Sequence, residues 1–162
     1  MELEKEDKLE ADISKILDYQ KEGYLFHGST VNNIELLEPR PASDSDLTST
    51  FNNDTAVFAT SNPQTCIFAL ISTEKVPKEI LKGDIWITGN QSSLEVKIPA
   101  KWKRYMEDNV GTLYVVPPEK FIKYNDESWQ SKSKEAVIPK DKITVRFEHF
   151  FRLGGKLVWT EE

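Results

Sequence analysis

The chain has 162 residues, a net charge of −6, 38% hydrophobic residues and 30% charged residues. This length predicts one domain that buries a core, and the 4 Trp, 5 Tyr and 8 Phe argue against extensive disorder. The acidic excess disfavours non-specific binding to a phosphate backbone, and a single cysteine excludes an intramolecular disulfide and a cysteine-rich metal site.

The N-terminal residues MELEKEDKLE are charged and lack the apolar core of a signal peptide. No apolar run approaches the length that spans a membrane. We therefore expect a soluble protein of the cytoplasm without a membrane partner.

The first predicted element is a helix over residues 3–21, inside an N-terminal helical region of residues 1–22. Its apolar positions recur at helical spacing and its other face carries Glu and Lys; the apolar positions are Leu9, Ile13, Ile16 and Leu17. Gly23 then favours the end of the helix.

Short apolar strands and a polar loop follow. Tyr24–His27 predicts a strand, and the polar residues 38–55 predict a long surface loop over 41–55. Ala56–Ala59 predicts a second strand. Ser61-Asn62-Pro63 is a helix-start signal, which predicts a helix over 63–72.

The remaining sequence is mostly typical of β-structure, with a turn expected at Gly89-Asn90. The predicted strands are Asp84–Thr88, Leu94–Ile98, Thr112–Val116, Phe121–Tyr124, Trp129–Lys134, Ala136–Ile138, Lys142–His149 and Leu157–Trp159. Together with the helices near the front, they predict an α+β domain with a largely antiparallel sheet.

Two segments in this order, YLFHGST and AVFATSNPQTCIFAL, resemble the ADP-ribosyltransferase superfamily in its poly-ADP-ribose-polymerase-like branch. That branch has a strand end with aromatic-His-Gly-Ser/Thr, then a strand ending in Phe-Ala, then a short helix with a hydroxyl and an aromatic residue. The spacing from Ala59 to Phe68 matches the family. The resemblance covers residues 24–70 and more weakly 112–148. It implies a single domain with an N-terminal helix and a split, largely antiparallel sheet.

This resemblance implies that NAD is a substrate, that ADP-ribose is transferred to an acceptor protein, nucleic acid or small molecule, and that nicotinamide is released. No metal is expected, because only two histidines occur and they lack paired spacing. Compact stand-alone domains of this kind resemble bacterial or phage proteins, which work in the cytoplasm or in the cytosol of a host.

The chemistry explains why the motif needs these residue types. Cleavage of the bond between nicotinamide and ribose develops positive charge on the sugar, so the enzyme must fix both the nicotinamide and the ribose hydroxyls. The resemblance implies that His27 holds the adenosine ribose, with Ser29 or Thr30 in support. Glycine allows close approach of a ligand to the backbone, and Gly28 is implied to bind the carboxamide in this way.

The helix after the second strand is implied to supply the rest of the nicotinamide site. Phe68 would stack on the ring and Thr65 would bond its amide. The chain departs from the family at Val57, where a tyrosine is usual, so one stacking face is aliphatic or comes from Phe58.

The catalytic carboxylate has two candidates. Glu135 is preferred because it is expected to open a late strand, and Glu127 is the competitor. A carboxylate at this place would orient the 2′-hydroxyl of the nicotinamide ribose. The alternative function is a catalytically inactive domain of the same fold that binds a partner or ligand.

Other polar residues have plainer interpretations. His149 is expected to be structural or exposed, and Cys66 is expected to be a small buried residue without an activating base. The basic residues around Trp102, which are Lys101, Lys103 and Arg104, are expected to lie in a solvated loop.

Overall fold

The computed structural model describes residues 2–41, 55–72, 86–90, 93–106, 108–123 and 129–160. The protein is mixed α+β, and its strand pairs are antiparallel with one exception, as the sequence predicts. The helices are α1 (Glu2–Lys21), α2 (Pro63–Ser72), α3 (Lys103–Met106) and α4 (Phe147–Arg152), with a short 3-10 helix at Ala100–Trp102. Within the described part of the chain, no helix has the length and apolar character needed to cross a membrane.

Seven strands form the larger sheet in the order β7-β8-β3-β1-β6-β9, with β2 also paired to β3. They are β1 (Leu25–Ser29), β2 (Arg40–Pro41), β3 (Thr55–Thr60), β6 (Gly111–Val116), β7 (Ile122–Lys123), β8 (Gln130–Ser133) and β9 (Asp141–Val145). A smaller sheet has the order β10-β5-β4 and consists of β4 (Trp86–Asn90), β5 (Ser93–Pro99) and β10 (Lys156–Thr160).

The larger sheet buries apolar side chains on both of its faces. Because side chains alternate along a strand, Phe26 and Gly28 of β1 point to the face covered by α2, while Leu25 and His27 point to the opposite face. We call these the α2 face and the loop face, since residues 31–37 run across the latter. The loop-face core consists of Leu25, Leu37, Val57, Ala59, Tyr114, Val116 and Val137.

The predicted start of α2 is confirmed in detail. Asn62 precedes the helix, and its Oδ1 accepts hydrogen bonds from the backbone N–H groups of Gln64 at 2.9 Å and Thr65 at 3.2 Å. These bonds satisfy two of the donors that a helix start leaves unpaired, and Pro63 fits the first turn because it has no N–H to satisfy.

The predicted strand Lys142–His149 is wrong beyond Val145. β9 ends there, and Phe147–Arg152 forms α4, in which Phe147 and Phe150 are buried and Phe151 is exposed. The alternation of ITVRFEH continues by chance into residues whose burial follows helical spacing. The side chain of His149 accepts the backbone N–H of Arg146 at 3.1 Å and so caps this helix.

Several smaller predictions also change. Gly89 and Asn90 lie inside β4, paired with Leu94 and Ser93, so the predicted turn is wrong. Ala136–Ile138 is not a strand, and only Val137 forms an isolated bridge, to Leu37. β10 pairs with β5 in parallel. The segment around Trp102 is helical rather than a loop, because Trp102 and Met106 are buried.

The predicted long loop 41–55 lies largely outside the described residues. Its first residue, Pro41, belongs to the short strand β2, which was not predicted, and its last residue, Thr55, begins β3.

His149 is structural, as expected, and it connects α4 to α1. Since its Nδ1 accepts an N–H, the proton of the neutral ring is on Nε2, which donates to Asp12 Oδ2 at 3.1 Å. The ring is 4% exposed, and burial, which outweighs the opposing effect of Asp12, lowers the pKa of His149 below its ordinary value.

We expect acid to weaken the fold through this histidine. A folded-state pKa below the unfolded value of about 6.5 means that the unfolded chain binds the proton first, so the stability is present above about pH 6.5 and is lost as the pH falls below it. Urea unfolding of the parent and of His149→Gln between pH 7.5 and 5 should show a steeper loss in the parent, by up to about 1.4 kcal/mol per pH unit. Parallel pH profiles would contradict this role.

Candidate functional site

The sheet forks at the second strand of the sequence motif. β1 pairs with β6 over all five of its residues, but its register with β3 has one pair, Phe26 opposite Thr60. Toward its other end β3 pairs instead with β2, Arg40 opposite Ala56. The strands β1 and β2 therefore leave a gap beside the middle of β3, and we call this gap the fork.

The imidazole of His27 bridges the fork. Its Nδ1 lies 2.6 Å from the backbone carbonyl oxygen of Phe58. A carbonyl only accepts, so Nδ1 must donate, and the neutral ring then carries an unprotonated Nε2 that accepts a hydrogen bond. Burial lowers the pKa of His27, and the nearby positive charge of Arg40 adds to this effect, so the neutral form prevails at pH 7.

A cavity of about 200 Å³ opens at the fork on the loop face. It joins three of the residues that the sequence singled out, His27, Ser29 and Phe58, to Arg40 and to the apolar side of residues 34–37. The carboxylate of Glu38 also lines the cavity, so one basic group, one acidic group and the polar side chains of His27 and Ser29 meet an apolar wall there. Small-molecule sites commonly combine a few polar groups with apolar walls in this way.

Gly28 lies on the other side of the sheet. A Cβ at this position would come within 3.2 Å of Cys66 Sγ and 3.4 Å of Leu70 Cβ, both on α2. The absence of a side chain therefore lets α2 pack closely on β1. This packing is sufficient reason for a glycine, and its predicted contact with a carboxamide stays a prediction.

Thr65 lies near the start of α2, on the same side of the sheet as Gly28. Its hydroxyl is buried, and no group within the described ranges hydrogen-bonds it. The same holds for the Nδ2 group of Asn62, which is fully buried. A buried polar atom without a partner costs about 1–3 kcal/mol, so two of them in one helix start make a place where a polar ligand would be stabilising.

Phe68 is part of the α2-face core. It is 5% exposed, and its ring centroid lies 5.9 Å from that of Phe150. The rings of His27 and Phe68 therefore lie on opposite faces of the sheet. The predicted stacking of Phe68 on a nicotinamide stays a prediction, and it requires access to a ring that is packed in the core.

The two candidate carboxylates differ in position. Glu135 is exposed and lies in a bend after β8, so the prediction that it opens a strand is wrong, and it does not line the cavity at the fork. Glu127 lies outside the described residues. Trp129, two residues later, accepts a hydrogen bond from Ser61 N at 2.9 Å, which places the start of β8 beside the start of α2. Thr30 is exposed just after β1.

Tyr114 is a site residue that sequence reasoning missed. It pairs with His27 across β1 and β6, the ring centroids are 6.4 Å apart, and its side chain is fully buried. Its hydroxyl donates a short hydrogen bond to the carbonyl of Val31 and accepts the N–H of Ile34 at 3.1 Å. Tyr114 thus holds the segment that supplies one wall of the cavity. The sequence predicts the strand that contains Tyr114, but only the strand register shows that Tyr114 lies opposite His27.

Substitution Tyr114→Phe should lower the free energy of unfolding by about 1–2 kcal/mol, because it removes the two partly buried hydrogen bonds to the backbone of Val31 and Ile34. Urea denaturation measures the loss, and hydrogen exchange should show faster opening of residues 31–34. Tyr105→Phe is the control, since the Tyr105 hydroxyl accepts a hydrogen bond from the exposed side chain of Arg104 and from no other described residue. Equal effects of the two substitutions would contradict the assignment.

Comparison with protein-family models, with curated proteins and with solved structures finds no match to this chain.

Proposed function

We propose that the protein has an ADP-ribosyltransferase-type fold, binds NAD at the fork and transfers ADP-ribose to an acceptor with release of nicotinamide. The observation that carries the proposal is the state of His27. Its Nδ1 donates a hydrogen bond to the carbonyl oxygen of Phe58. Its unprotonated Nε2 can therefore accept a hydrogen bond from a hydroxyl in the cavity. A ribose hydroxyl is a donor of the required kind.

The fork also offers a way for one ligand to reach both faces of the sheet. Beyond Phe26, β1 has no registered partner on the β3 side among the described residues. A dinucleotide lying across this edge has His27 and Arg40 on the loop face. The hydroxyl of Thr65 lies on the α2 face and is buried there, so its contact with the ligand requires access through the α2 packing. An arginine beside the ribose site suits the negatively charged diphosphate that joins the two nucleosides.

In the proposed reaction the bond from nicotinamide nitrogen to ribose C1′ breaks and takes its electron pair to nicotinamide. A new bond forms between C1′ and an acceptor atom, which loses its proton. A carboxylate that holds the adjacent 2′-hydroxyl stabilises the positive charge on the sugar. Glu127 and Glu135 are the candidates for this role.

Isothermal titration with NAD and with nicotinamide tests the binding step. We expect saturable binding of NAD at one site per chain, and absence of NAD binding would end the proposal. A nicotinamide-release assay then compares the parent with Glu127→Gln and Glu135→Gln. Substitution of the catalytic glutamate should lower the rate of nicotinamide release at least about a hundredfold, whereas the other variant should keep the parental rate.

The position of Glu135 favours a second candidate function, a binding module of the same fold without transferase activity. Its carboxylate is exposed and lies apart from the cavity. Saturable NAD binding without nicotinamide release, in the presence of varied acceptors, would support the module. Release that depends on Glu127 would exclude it.

A further inference from the structure

A second cavity, of about 360 Å³, lies on the far side of the segment that Tyr114 holds. It is bounded by α1, by β6 and β9, and by Asn32 and Asn33. Neither asparagine lines the cavity at the fork. The two cavities are therefore separate sites on either side of one backbone segment.

Positively charged side chains outnumber negatively charged ones among the residues that line this second cavity. The ammonium groups of Lys8, Lys15 and Lys142 line it, and the only carboxylate among its described lining residues is Asp12. When Asp141, which lies 3.5 Å from Lys15 Nζ, is counted as well, three ammonium groups meet two carboxylates, and the local balance is +1 in a chain of net charge −6. A cationic hollow on an acidic protein concentrates small anions.

The neighbouring carboxylates neutralise these lysines only in part. Asp12 meets Lys8 at 3.7 Å, but its other oxygen accepts the proton of His149. Asp141 meets Lys15 at 3.5 Å while it also accepts the hydroxyl of Tyr19 at 2.9 Å. Lys142 donates to the carbonyl of Asn32 at 2.6 Å, which fixes its ammonium at the rim and leaves further N–H donors.

A buried hydroxyl forms part of the wall. Thr112 is 3% exposed and lines the cavity. In the sheet it lies between Ser29 and Thr144, so three hydroxyl residues of adjacent strands share one face. A hydroxyl in the wall of the cavity can donate a hydrogen bond to an anion bound there.

We propose that this cavity binds a phosphate group, either as the free anion or as a small phosphate ester. Three ammonium groups, two side-chain amides and a threonine hydroxyl supply the donors that phosphate oxygens accept. The site does not depend on the proposed transferase function, and it implies a second, anionic ligand beside the fork.

Titration of the whole protein with inorganic phosphate and with glycerol phosphate, followed by NMR, tests the site. We expect saturable shifts at residues of α1 and β9 with both probes. Tighter binding of glycerol phosphate would identify an ester as the preferred ligand, and equal binding would identify the free anion. Non-saturable shifts in both titrations would overturn the proposal.

Thr112→Val should weaken binding about fivefold, because it removes one hydrogen-bond donor from the cavity wall and keeps the shape of the side chain. Lys142→Gln should weaken binding by a similar factor. Lys97→Gln is the matched control, since it removes the same charge from an exposed position in β5. If Lys97→Gln weakens binding as much as Lys142→Gln, the anion responds to net charge and the site is refuted. Loss of binding in His27→Asn would place the anion at the fork and would also refute it.

Discussion

His27→Asn should bind NAD about tenfold more weakly than the parent while its free energy of unfolding changes by less than about 1 kcal/mol. The amide nitrogen of asparagine takes roughly the place of Nδ1, so it retains the hydrogen bond to the Phe58 carbonyl. Nothing in asparagine reaches the place of Nε2. The substitution therefore removes the proposed contact with the ribose and keeps the structural contact across the fork. Isothermal titration and urea denaturation measure the two effects separately.

Two further substitutions make the comparison decisive. His27→Gln places its amide near the position of Nε2 but loses the bond to Phe58, so it should bind NAD better than His27→Asn and be less stable. His27→Ala loses both contacts and should be impaired in both measurements. An asparagine variant that binds NAD as tightly as the parent would show that the imidazole serves only to join β1 to β3.

The pH dependence of NAD binding follows from the same tautomer. Because Nδ1 already donates, a second proton must enter at Nε2, where it turns the acceptor into a donor. The pKa of His27 is lowered by burial, so the affinity should stay constant down to about pH 6.5 and fall only below it. A decline that begins above pH 7 would indicate that another group controls binding.

The candidate site was predictable from the sequence only in part. The motif around His27 and the start of α2 are local patterns, and the structure has the strand and the helix where those patterns place them. Which face each side chain meets depends on strand register, which no local pattern contains. His27 and Phe68 thus lie on opposite faces, and Tyr114, one row from the motif in space, lies 87 residues away in the chain.

The fold, like the candidate site, was predictable from local sequence patterns only in part. Apolar alternation identified β5, where Leu94, Val96 and Ile98 are buried and Lys97 is exposed, because one-sided burial imposes a period of two residues. It failed at Phe147–Arg152, where alternation and helical spacing coincide over a few residues and contacts with α1 and α2 decide the outcome. The parallel pairing of β10 with β5 joins residues 61 positions apart, such as Lys156 and Glu95, so no local pattern predicts it.

Gln64→Leu should cause the largest loss of stability among single polar substitutions in this protein. Gln64 is 2% exposed, and its amide joins two parts of the chain to α2. Its Nε2 donates to the carbonyl of Leu153 at 2.6 Å, and its Oε1 accepts the N–H of Leu94 at 2.9 Å. Leucine has a similar volume but leaves both backbone groups buried without a partner, at a cost of about 2–5 kcal/mol in total.

Gln20→Leu is the matched control because it makes the same chemical change at a half-buried position with one long hydrogen bond, 3.3 Å, to the carbonyl of Ser61. Its cost should stay below about 1 kcal/mol. Urea denaturation of both variants gives the comparison, and hydrogen exchange at β5 should rise only in Gln64→Leu. Leu94 lies near the start of β5, the inner strand of the smaller sheet. Equal stability of the two variants would therefore mean that this sheet is held by its apolar core alone, and that the buried amide is not what fixes it against α2.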